Sequence, residues 1–214
     1  MKGLFIKDLC LMAKRKTYFL LVLVICVAVT YVNNPQFVFG YMTIILSLFT
    51  TSSVSYDEFD NCYPYLMSLP ITRKEYVKEK YLYGLALSGC GWIASAILYI
   101  IICLVKGLQV NIVEDLVCSL MYIPFAMIVI SFYLPVILKY GSDKSRTVML
   151  VIYGVIAVMI MVASGLTSVP FVSNINNLEG INDFAVTGII GALGLIVGII
   201  SIKVSTGIME NKEF

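Results

Sequence analysis

The run YLYGLALSGCGWIASAILYIIICLV occupies residues 81–105 and contains no charged side chain. Because about 20 apolar residues in a helix cross the hydrocarbon core of a bilayer, this run predicts a transmembrane helix. Five further runs have a similar character, and the first of them is the shortest. They cover residues 17–32, 36–55, 116–138, 147–167 and 184–202. The chain is therefore predicted to be an all-α integral membrane protein with six transmembrane helices.

The composition agrees with a protein embedded in a bilayer. Of the 214 residues, 60% are hydrophobic and only 13% are charged, and the mean hydropathy is +0.94. A soluble domain usually carries about 25% charged residues, so this chain cannot cover a water-soluble globule with a polar surface. The six runs leave no room for a soluble domain, and residues 1–214 are predicted to form a single transmembrane domain.

The lysines and arginines predict the orientation. Positively charged residues accumulate in the cytoplasmic connections of membrane proteins. Fourteen of the fifteen lie before the first run, in the connections after the second and fourth runs, or after the sixth, and only Lys106 lies elsewhere. Both termini are therefore predicted to be cytoplasmic, with 57–80 as the longest cytoplasmic connection. We expect a multi-pass protein of a bacterial plasma membrane.

The N-terminal segment has a pattern of its own. In residues 1–16, Phe5, Leu9 and Met12 fall on one face of a helix, while Lys7 and Lys14 fall on the opposite face. This pattern favours an amphipathic helix that lies on the cytoplasmic membrane surface. The alternative is an ordinary basic leader that only fixes the topology.

The missing residue types exclude several classes of membrane protein. The chain contains no histidine, and its six cysteines form no CxxC pair and no zinc-type spacing, so we expect reduced thiols. The predicted spans contain no Asp, Glu, Lys or Arg, whereas ion-coupled carriers usually keep such groups within the membrane. Intramembrane metalloenzymes need clusters of His, Asp or Glu, and rhomboid-type proteases need a histidine beside their nucleophile. The predicted spans contain none of these residues. The chain is predicted not to be an enzyme, to hold no metal or cofactor, and to receive energy from elsewhere.

The predicted spans offer only small and weakly polar residues. One face of the second span could line a path for an amphipathic substrate, or could form hydrogen bonds within and between helices. This face carries Thr43, Ser47 and Thr50. Two stripes of small residues predict close helix packing, within one subunit or between two. They are Gly84, Ser88 and Gly91 in the third span, and Gly191, Gly194 and Gly198 in the sixth.

The stretch SLPITRKEYV, residues 68–77, predicts the start of a helix. Pro70 disfavours helix in the residue before it. Thr72 is a good N-cap, and Glu75 three residues later completes a capping box. Ile71 before the cap can pack against Tyr76 as a hydrophobic staple. Such a helix just inside the membrane could dock into a groove of a soluble partner, or could simply be the beginning of the third span.

The surrounding sequence resembles a known family. The run YPYLMSLPITRKEYVKEKYL, residues 63–82, resembles the corresponding segment of permease subunits of type-2 ABC exporters. The opening MKGLFIKDL resembles the start of these proteins, where an amphipathic helix precedes the first span. The layout of six spans with the N-terminus inside is similar over the whole chain. In particular, the chain resembles the small Gram-positive subgroup that includes phenol-soluble-modulin and other peptide exporters.

The resemblance implies a mechanism and a set of contact residues. Two permeases pair, as a homodimer or with a close paralogue, and each docks on a cytoplasmic ATP-binding subunit. The resemblance places the main coupling helix at Ser68, Leu69, Pro70, Ile71, Thr72, Arg73, Lys74, Glu75 and Tyr76. A second, shorter contact falls on Asp143, Lys144 and Arg146. The chain has no GxxxxGK[ST] phosphate loop, so ATP and Mg²⁺ are expected on the partner. Larger exporters carry helical re-entrant elements between spans five and six, and here the short, Asn-rich connection 168–183 departs from that pattern.

These observations together predict the permease of an ATP-driven exporter. The apolar and weakly polar spans favour an amphipathic substrate, a peptide or a lipid-like molecule. The alternative is a membrane scaffold or immunity-type protein that binds partners laterally and transports nothing. An ion-coupled carrier is disfavoured by the uncharged spans.

Overall fold

The structure is a computed structural model that describes residues 2–32, 35–59, 62–68, 70–107, 111–165 and 183–212. Within these ranges the chain forms eight α-helices and no strand. They are α1 (Lys2–Ala13), α2 (Lys16–Val32), α3 (Phe37–Glu58), α4 (Cys62–Ser68), α5 (Arg73–Lys106), α6 (Ile112–Ser119), α7 (Tyr122–Gly165) and α8 (Asp183–Glu210). The all-α prediction is confirmed for the described residues.

Four helical runs in the described residues are long and apolar enough to cross a membrane. They are Phe37–Glu58, Arg73–Lys106, Ile112–Gly154 and Ile190–Glu210. A shorter apolar helix covers Lys16–Thr30 and corresponds to the first predicted span. The third of the four runs joins the fourth predicted span to the start of the fifth. Residues 168–182 of the connection and the end of the fifth span at 166–167 lie outside the described residues, and the count of six spans stays a prediction.

A break at Gly141 divides α7 into two segments. Gly141 adopts φ +80° and ψ 171° within an otherwise helical run. Glycine adopts positive φ at little cost, whereas other residues are strained there. The carboxylate of Glu58, at the end of α3, accepts a hydrogen bond from the backbone N–H of Ser142. The predicted connection 139–146 is thus a sharp bend between two helical segments, held by the end of α3.

The helix α3 lies at the centre of the bundle and packs most closely against α5. A methyl group placed on Gly91 would lie 3.1 Å from the Cα of Thr43, and one on Gly84 would lie 3.1 Å from the Oγ1 of Thr50. The small-residue stripe predicted in the third span therefore serves packing within the subunit. It lets α3 and α5 approach closely, as small residues do in membrane helix pairs.

The helix α8 also uses small residues where it packs against its neighbours. A methyl group on Gly194 would lie 3.0 Å from Pro124 of α7. Gly198 is buried as well, whereas Gly191 has no atom within 4 Å of such a methyl group. The buried stripe continues towards the C-terminus through Ser201 and Ser205, whose hydroxyls contact the hydroxyl of Tyr81 in α5. Between Ile190 and Glu210, most large aliphatic side chains of α8 face outward and are exposed.

The predicted cytoplasmic segments gather at one end of the bundle, which we call the basic end. It comprises α1, the end of α3, α4, the start of α5, the Gly141 bend and the end of α8. Lys7 of α1 pairs with Asp57 at the end of α3. Lys212, beyond α8, donates to the carbonyl oxygen of Leu138 at 3.2 Å. This grouping is what the charge pattern requires if these segments face one compartment; that this compartment is the cytoplasm stays a prediction.

The helix predicted at the N-terminus is present as α1. Leu4 and Asp8 are buried, and Phe5 packs edge-on against Tyr83 of α5 with ring centroids 5.6 Å apart. Leu9, on the predicted apolar face, is 43% exposed in the protein alone, and the contact of this face with the membrane surface stays a prediction. The carboxylate of Asp8 contacts Lys80 of α5, so the face of α1 that carries Leu4 and Asp8 packs against the bundle.

Candidate functional site

The residues after Pro70 form the capped helix start that the sequence predicts. The side chain of Thr72 accepts a hydrogen bond from the backbone N–H of Glu75 at 3.2 Å. The Glu75 carboxylate in turn accepts one from the backbone N–H of Thr72 at 3.0 Å. The hydroxyl of Thr72 also donates to this carboxylate, at 3.0 Å. The bonds that the carboxylate accepts, first from the backbone N–H and then from the hydroxyl of Thr72, lower the pKa of Glu75, which precedes the predicted span 81–105. The helix start at Arg73 and the capping box are confirmed.

This helix start is part of the long helix α5. It is therefore not a short separate helix, because α5 runs without a break from Arg73 to Lys106. A second, seven-residue helix, α4, precedes it. We call residues 68–76 the coupling segment; Leu69 lies outside the described residues. A force on the coupling segment would act directly on a helix long enough to cross the membrane.

Two basic residues of the coupling segment contact the end of α8. The guanidinium of Arg73 donates to the backbone carbonyl oxygens of Met209, at 3.0 Å, and Glu210. These carbonyls belong to the last turn of α8, where a cation also interacts favourably with the helix dipole. Lys74 pairs with the Glu210 carboxylate at 3.3 Å. The segment is thereby fastened to α8 within the same chain.

The side chains of the coupling segment divide into an inner and an outer set. Tyr76 is fully buried, and its hydroxyl donates to Asp57 at 3.0 Å. Ile71 packs against the same core as Tyr76. The exposed members are Ser68, Pro70, Thr72 and Lys74. A partner could therefore reach the turn and the first helical residues, whereas Tyr76 supports them from within.

The second predicted contact lies at the same end of the bundle. Asp143, Lys144 and Arg146 are all exposed on the first turns after Gly141. Glu58 holds the start of this segment through the N–H of Ser142. The two predicted contact regions thus both lie at the basic end. The coupling segment is bound to α8, and the segment after Gly141 is bound to α3.

A cluster of buried charges lies directly behind the coupling segment. We call it the ion-pair cluster, and its members are Lys7, Asp8, Asp57, Glu79 and Lys80. Lys80 is 1% exposed and Asp8 is fully buried. The Lys80 ammonium contacts Asp8, and it lies 2.9 Å from the Asp57 carboxylate. Lys7 contacts both aspartates, Asp8 at 3.2 Å. The cluster joins α1, α3 and α5.

The protonation of the cluster follows from burial and from neighbouring charges. Burial by itself lowers the pKa of Lys80, but Asp57 and Asp8 more than offset this, and the net effect raises that pKa. Burial raises the pKa of Glu79 to about 7, with Lys80 acting in the opposite direction. Both residues precede the predicted span 81–105. Lys80 is thus held as a cation, whereas Glu79 exchanges its proton near neutral pH.

Sequence reasoning missed this cluster because it treated charged residues outside the spans as solvated. Two features indicate it in retrospect. Asp8 follows Leu4 by four residues and therefore shares its helical face, on which the structure buries both. Asp57 and Lys80 stand at the ends of two predicted spans that are consecutive in the chain, where opposite charges can meet. The helices α3 and α5 extend beyond the predicted span limits, and these extensions carry Asp57, Glu79 and Lys80.

The weakly polar face of the second span lies between helices. Thr43, Ser47 and Thr50 are fully buried. The hydroxyl of Ser47 donates to the carbonyl oxygen of Ile44 within the same helix, at 2.7 Å. Thr43 and Thr50 lie against the glycines of α5. The hydrogen-bonding interpretation therefore fits Ser47, whereas the hydroxyls of Thr43 and Thr50 have no hydrogen-bond partner among the described residues. The substrate path stays a prediction.

The opposite end of the bundle carries polar contacts that the sequence did not predict. The side-chain amide of Gln36 donates to Asp115 at 2.6 Å, and the Trp92 indole N–H donates to the hydroxyl of Ser119 at 2.9 Å. These bonds fasten α6 to the start of α3 and to α5. A cavity of about 320 Å³ lies beside them, and Glu114 and Asp115 form part of its lining. On the predicted topology this end faces the exterior.

The fold places the chain in the class of helical membrane proteins with several spans. A family model described as an ABC-2 family transporter protein matches residues 3–210. Because this match covers nearly the whole chain, the protein belongs to the ABC-2 transporter family and is a membrane permease of an ABC transporter. The family implies an ATP-binding partner of the ABC type in general. No curated protein and no solved structure matches the chain.

Proposed function

We propose that the chain is the permease of an exporter that moves an amphipathic substrate, a peptide or a lipid-like molecule, out of a bacterial cell. Two copies, or one copy and a close paralogue, pair in the plasma membrane with both termini in the cytoplasm. The chain itself catalyses no reaction, and ATP and Mg²⁺ bind to a separate ATP-binding subunit. The peptide assignment is supported by the resemblance of residues 63–82 to the small peptide exporters.

One observation carries the coupling role. The coupling segment is a capped helix start whose first residues are exposed, and it continues without a break into a helix long enough to cross the membrane. A rigid helix transmits a displacement along its length, so a partner that moves Thr72 also moves the membrane part of α5. The exposed side chains at 143, 144 and 146 offer a second contact at the same end.

The surfaces that the helices offer support an amphipathic substrate. Most of the large exposed side chains of α2 and α8 are aliphatic, and the buried polar groups of α3 are hydroxyls. Such surfaces suit a molecule with an extended apolar face and few charges. They do not suit a small ion, which needs charged or carbonyl-lined sites.

A photo-crosslinking experiment tests the proposal. The photoreactive residue p-benzoylphenylalanine is placed at Lys74 or at Lys144, both exposed at the basic end, in the full chain in its native membrane. The matched control position is Glu114, which is exposed at the opposite end. We expect positions 74 and 144 to capture a polypeptide with a GxxxxGK[ST] motif, identified by mass spectrometry, and position 114 not to capture it.

Two results would contradict the proposal. If neither position at the basic end captures such a polypeptide, the scaffold or immunity-type alternative accounts better for the chain. If position 114 captures it as efficiently as positions 74 and 144, the ATPase does not dock at the basic end and the coupling segment has another role.

A further inference from the structure

Lys80 joins three helices at a single buried point. Its ammonium contacts Asp8 of α1 and Asp57 of α3, and it donates to the hydroxyl of Ser53, also of α3, at 2.7 Å. The hydroxyl of Tyr83, on the next turn of α5, donates to the backbone carbonyl oxygen of Asp8 at 3.2 Å. Asp8 therefore meets α5 through both its side chain and its backbone.

The same contacts place α1 against the coupling segment. Leu4 of α1 belongs to the buried core that also contains Tyr76 and Val77. Tyr76 precedes Lys80 by one helical turn, and both side chains bind the carboxylate of Asp57. The coupling segment, Lys80 and α1 thus share a core and a common acidic partner.

We propose that Lys80 is a positioning residue that fastens α1 to the coupling segment, so that α1 moves with that segment when the ATPase acts on it. This inference rests on the proposed function for its second part only, since the fastening is a property of the permease alone. A buried charge does not leave its partners without a large desolvation penalty, so the joint between α1 and α5 moves as one unit. The consequence is that α1 is part of the moving machinery, beyond any role as a surface anchor.

Three variants isolate the joint in the full chain. Lys80→Met removes the charge and keeps the length of the side chain. Asp8→Asn changes only α1 and leaves the contact between Lys80 and Asp57 in place. Lys78→Met is the matched control, because Lys78 lies two residues away on the same helix and is exposed.

Hydrogen–deuterium exchange of the peptide that covers residues 2–13 reports whether α1 is docked. In the purified permease we expect the exchange of this peptide to be at least tenfold faster in Lys80→Met and Asp8→Asn than in the wild type. The Lys78→Met variant should exchange at the wild-type rate. Peptides from the core of α3 should keep their protection in all variants, which separates local undocking from unfolding. Asp8→Asn keeps the test decisive if Lys80→Met does not fold.

The same measurement on the complex with the ATPase tests whether α1 moves with the coupling segment. We expect the exchange of residues 2–13 in the wild type to differ at least threefold between the nucleotide-free complex and the complex trapped with ATP and vanadate. In Asp8→Asn the ATPase should still bind, because the exposed residues of the coupling segment are unchanged, and the nucleotide-dependent difference should disappear.

The outcomes of these experiments distinguish the fastening of α1 by Lys80 from the movement of α1 with the coupling segment. Wild-type exchange of residues 2–13 in both Lys80→Met and Asp8→Asn overturns the fastening. A wild-type complex in which this exchange does not respond to nucleotide overturns the coupled movement. If no ATPase binds the wild-type permease, the proposed function fails and the coupled movement with it, while the exchange of the permease alone still decides whether Lys80 fastens α1.

Discussion

Glu79 and Lys80 are neighbours in the chain and are both buried, but they differ in what surrounds them. Lys80 has two carboxylates and a hydroxyl within contact distance, which compensate the loss of water around its charge. Among the described residues, the Glu79 carboxylate accepts no hydrogen bond, and the Lys80 ammonium lies 3.8 Å from it. A buried carboxylate without a donor is more favourable when it is protonated. Glu79 is therefore the member of the ion-pair cluster whose charge costs stability.

The first prediction concerns Glu79→Gln and pH. Burial raises the folded-state pKa of Glu79 from its ordinary value of 4.5 to about 7, so the folded state binds a proton that the unfolded state releases. The stabilisation that comes from this bound proton is therefore lost as pH rises from about 4.5 to about 7. The amide cannot ionise, so the melting temperature of Glu79→Gln relative to the wild type should increase between pH 5 and pH 8.

The control for this prediction is Glu114→Gln, at the opposite end of the bundle. The groups that face Glu79 and share its electrostatics are Lys7 and Asp8 of α1, Asp57 of α3, and Lys80 of α5. Melting temperatures in detergent at several pH values provide the measurement. A difference between Glu79→Gln and the wild type that does not change with pH would show that Glu79 is already ionised at pH 5 or still neutral at pH 8.

At the scale of elements, the start of α5 shows what local sequence can specify. Pro70, Thr72 and Glu75 lie within six residues of each other, and their chemistry is local, so the capping box and the first helical residue could be predicted. The ion-pair cluster could not, because Asp8 and Lys80 are 72 residues apart and no local pattern pairs them.

The second prediction concerns Thr72→Ala. Loss of the N-cap hydroxyl leaves the backbone N–H of Glu75 without its acceptor, and substitutions of this kind cost about 1 kcal/mol. We expect the free energy of unfolding in mixed detergent micelles to fall by about this amount. The capture of the ATPase by the photoreactive residue at Lys74 should fall as well, because the first turn of α5 frays.

Thr72→Ser is the matched variant for this prediction, because serine keeps the hydroxyl and is an equally good N-cap. It should restore both stability and capture. Wild-type capture in Thr72→Ala would mean that the partner does not depend on the ordered helix start. Equal losses in the alanine and serine variants would mean that the methyl group, and not the cap, is the important feature.

At the scale of the whole molecule, the charge pattern and the structure agree on which segments belong together. The pattern assigned α1, the connection 57–80, the connection 139–146 and the C-terminal tail to one side. The structure brings these four segments to the basic end through contacts such as those between Arg73 and the last turn of α8 and between Glu58 and Ser142. Charge patterns predict this grouping because the side on which each connection lies depends on its own content of lysine and arginine. They do not predict how the connections interlock, which depends on tertiary contacts.

The central claim is that the coupling segment faces the cytoplasm and is covered there by an ATPase. The most direct measurement is labelling with a membrane-impermeant maleimide in a chain that lacks its six native cysteines and carries Lys74→Cys or Glu114→Cys. Position 114 should react in intact cells, whereas position 74 should react only after permeabilisation and should be protected at least fivefold when the ATPase is present. Reaction of position 74 in intact cells, or equal reaction with and without the ATPase, would contradict the claim.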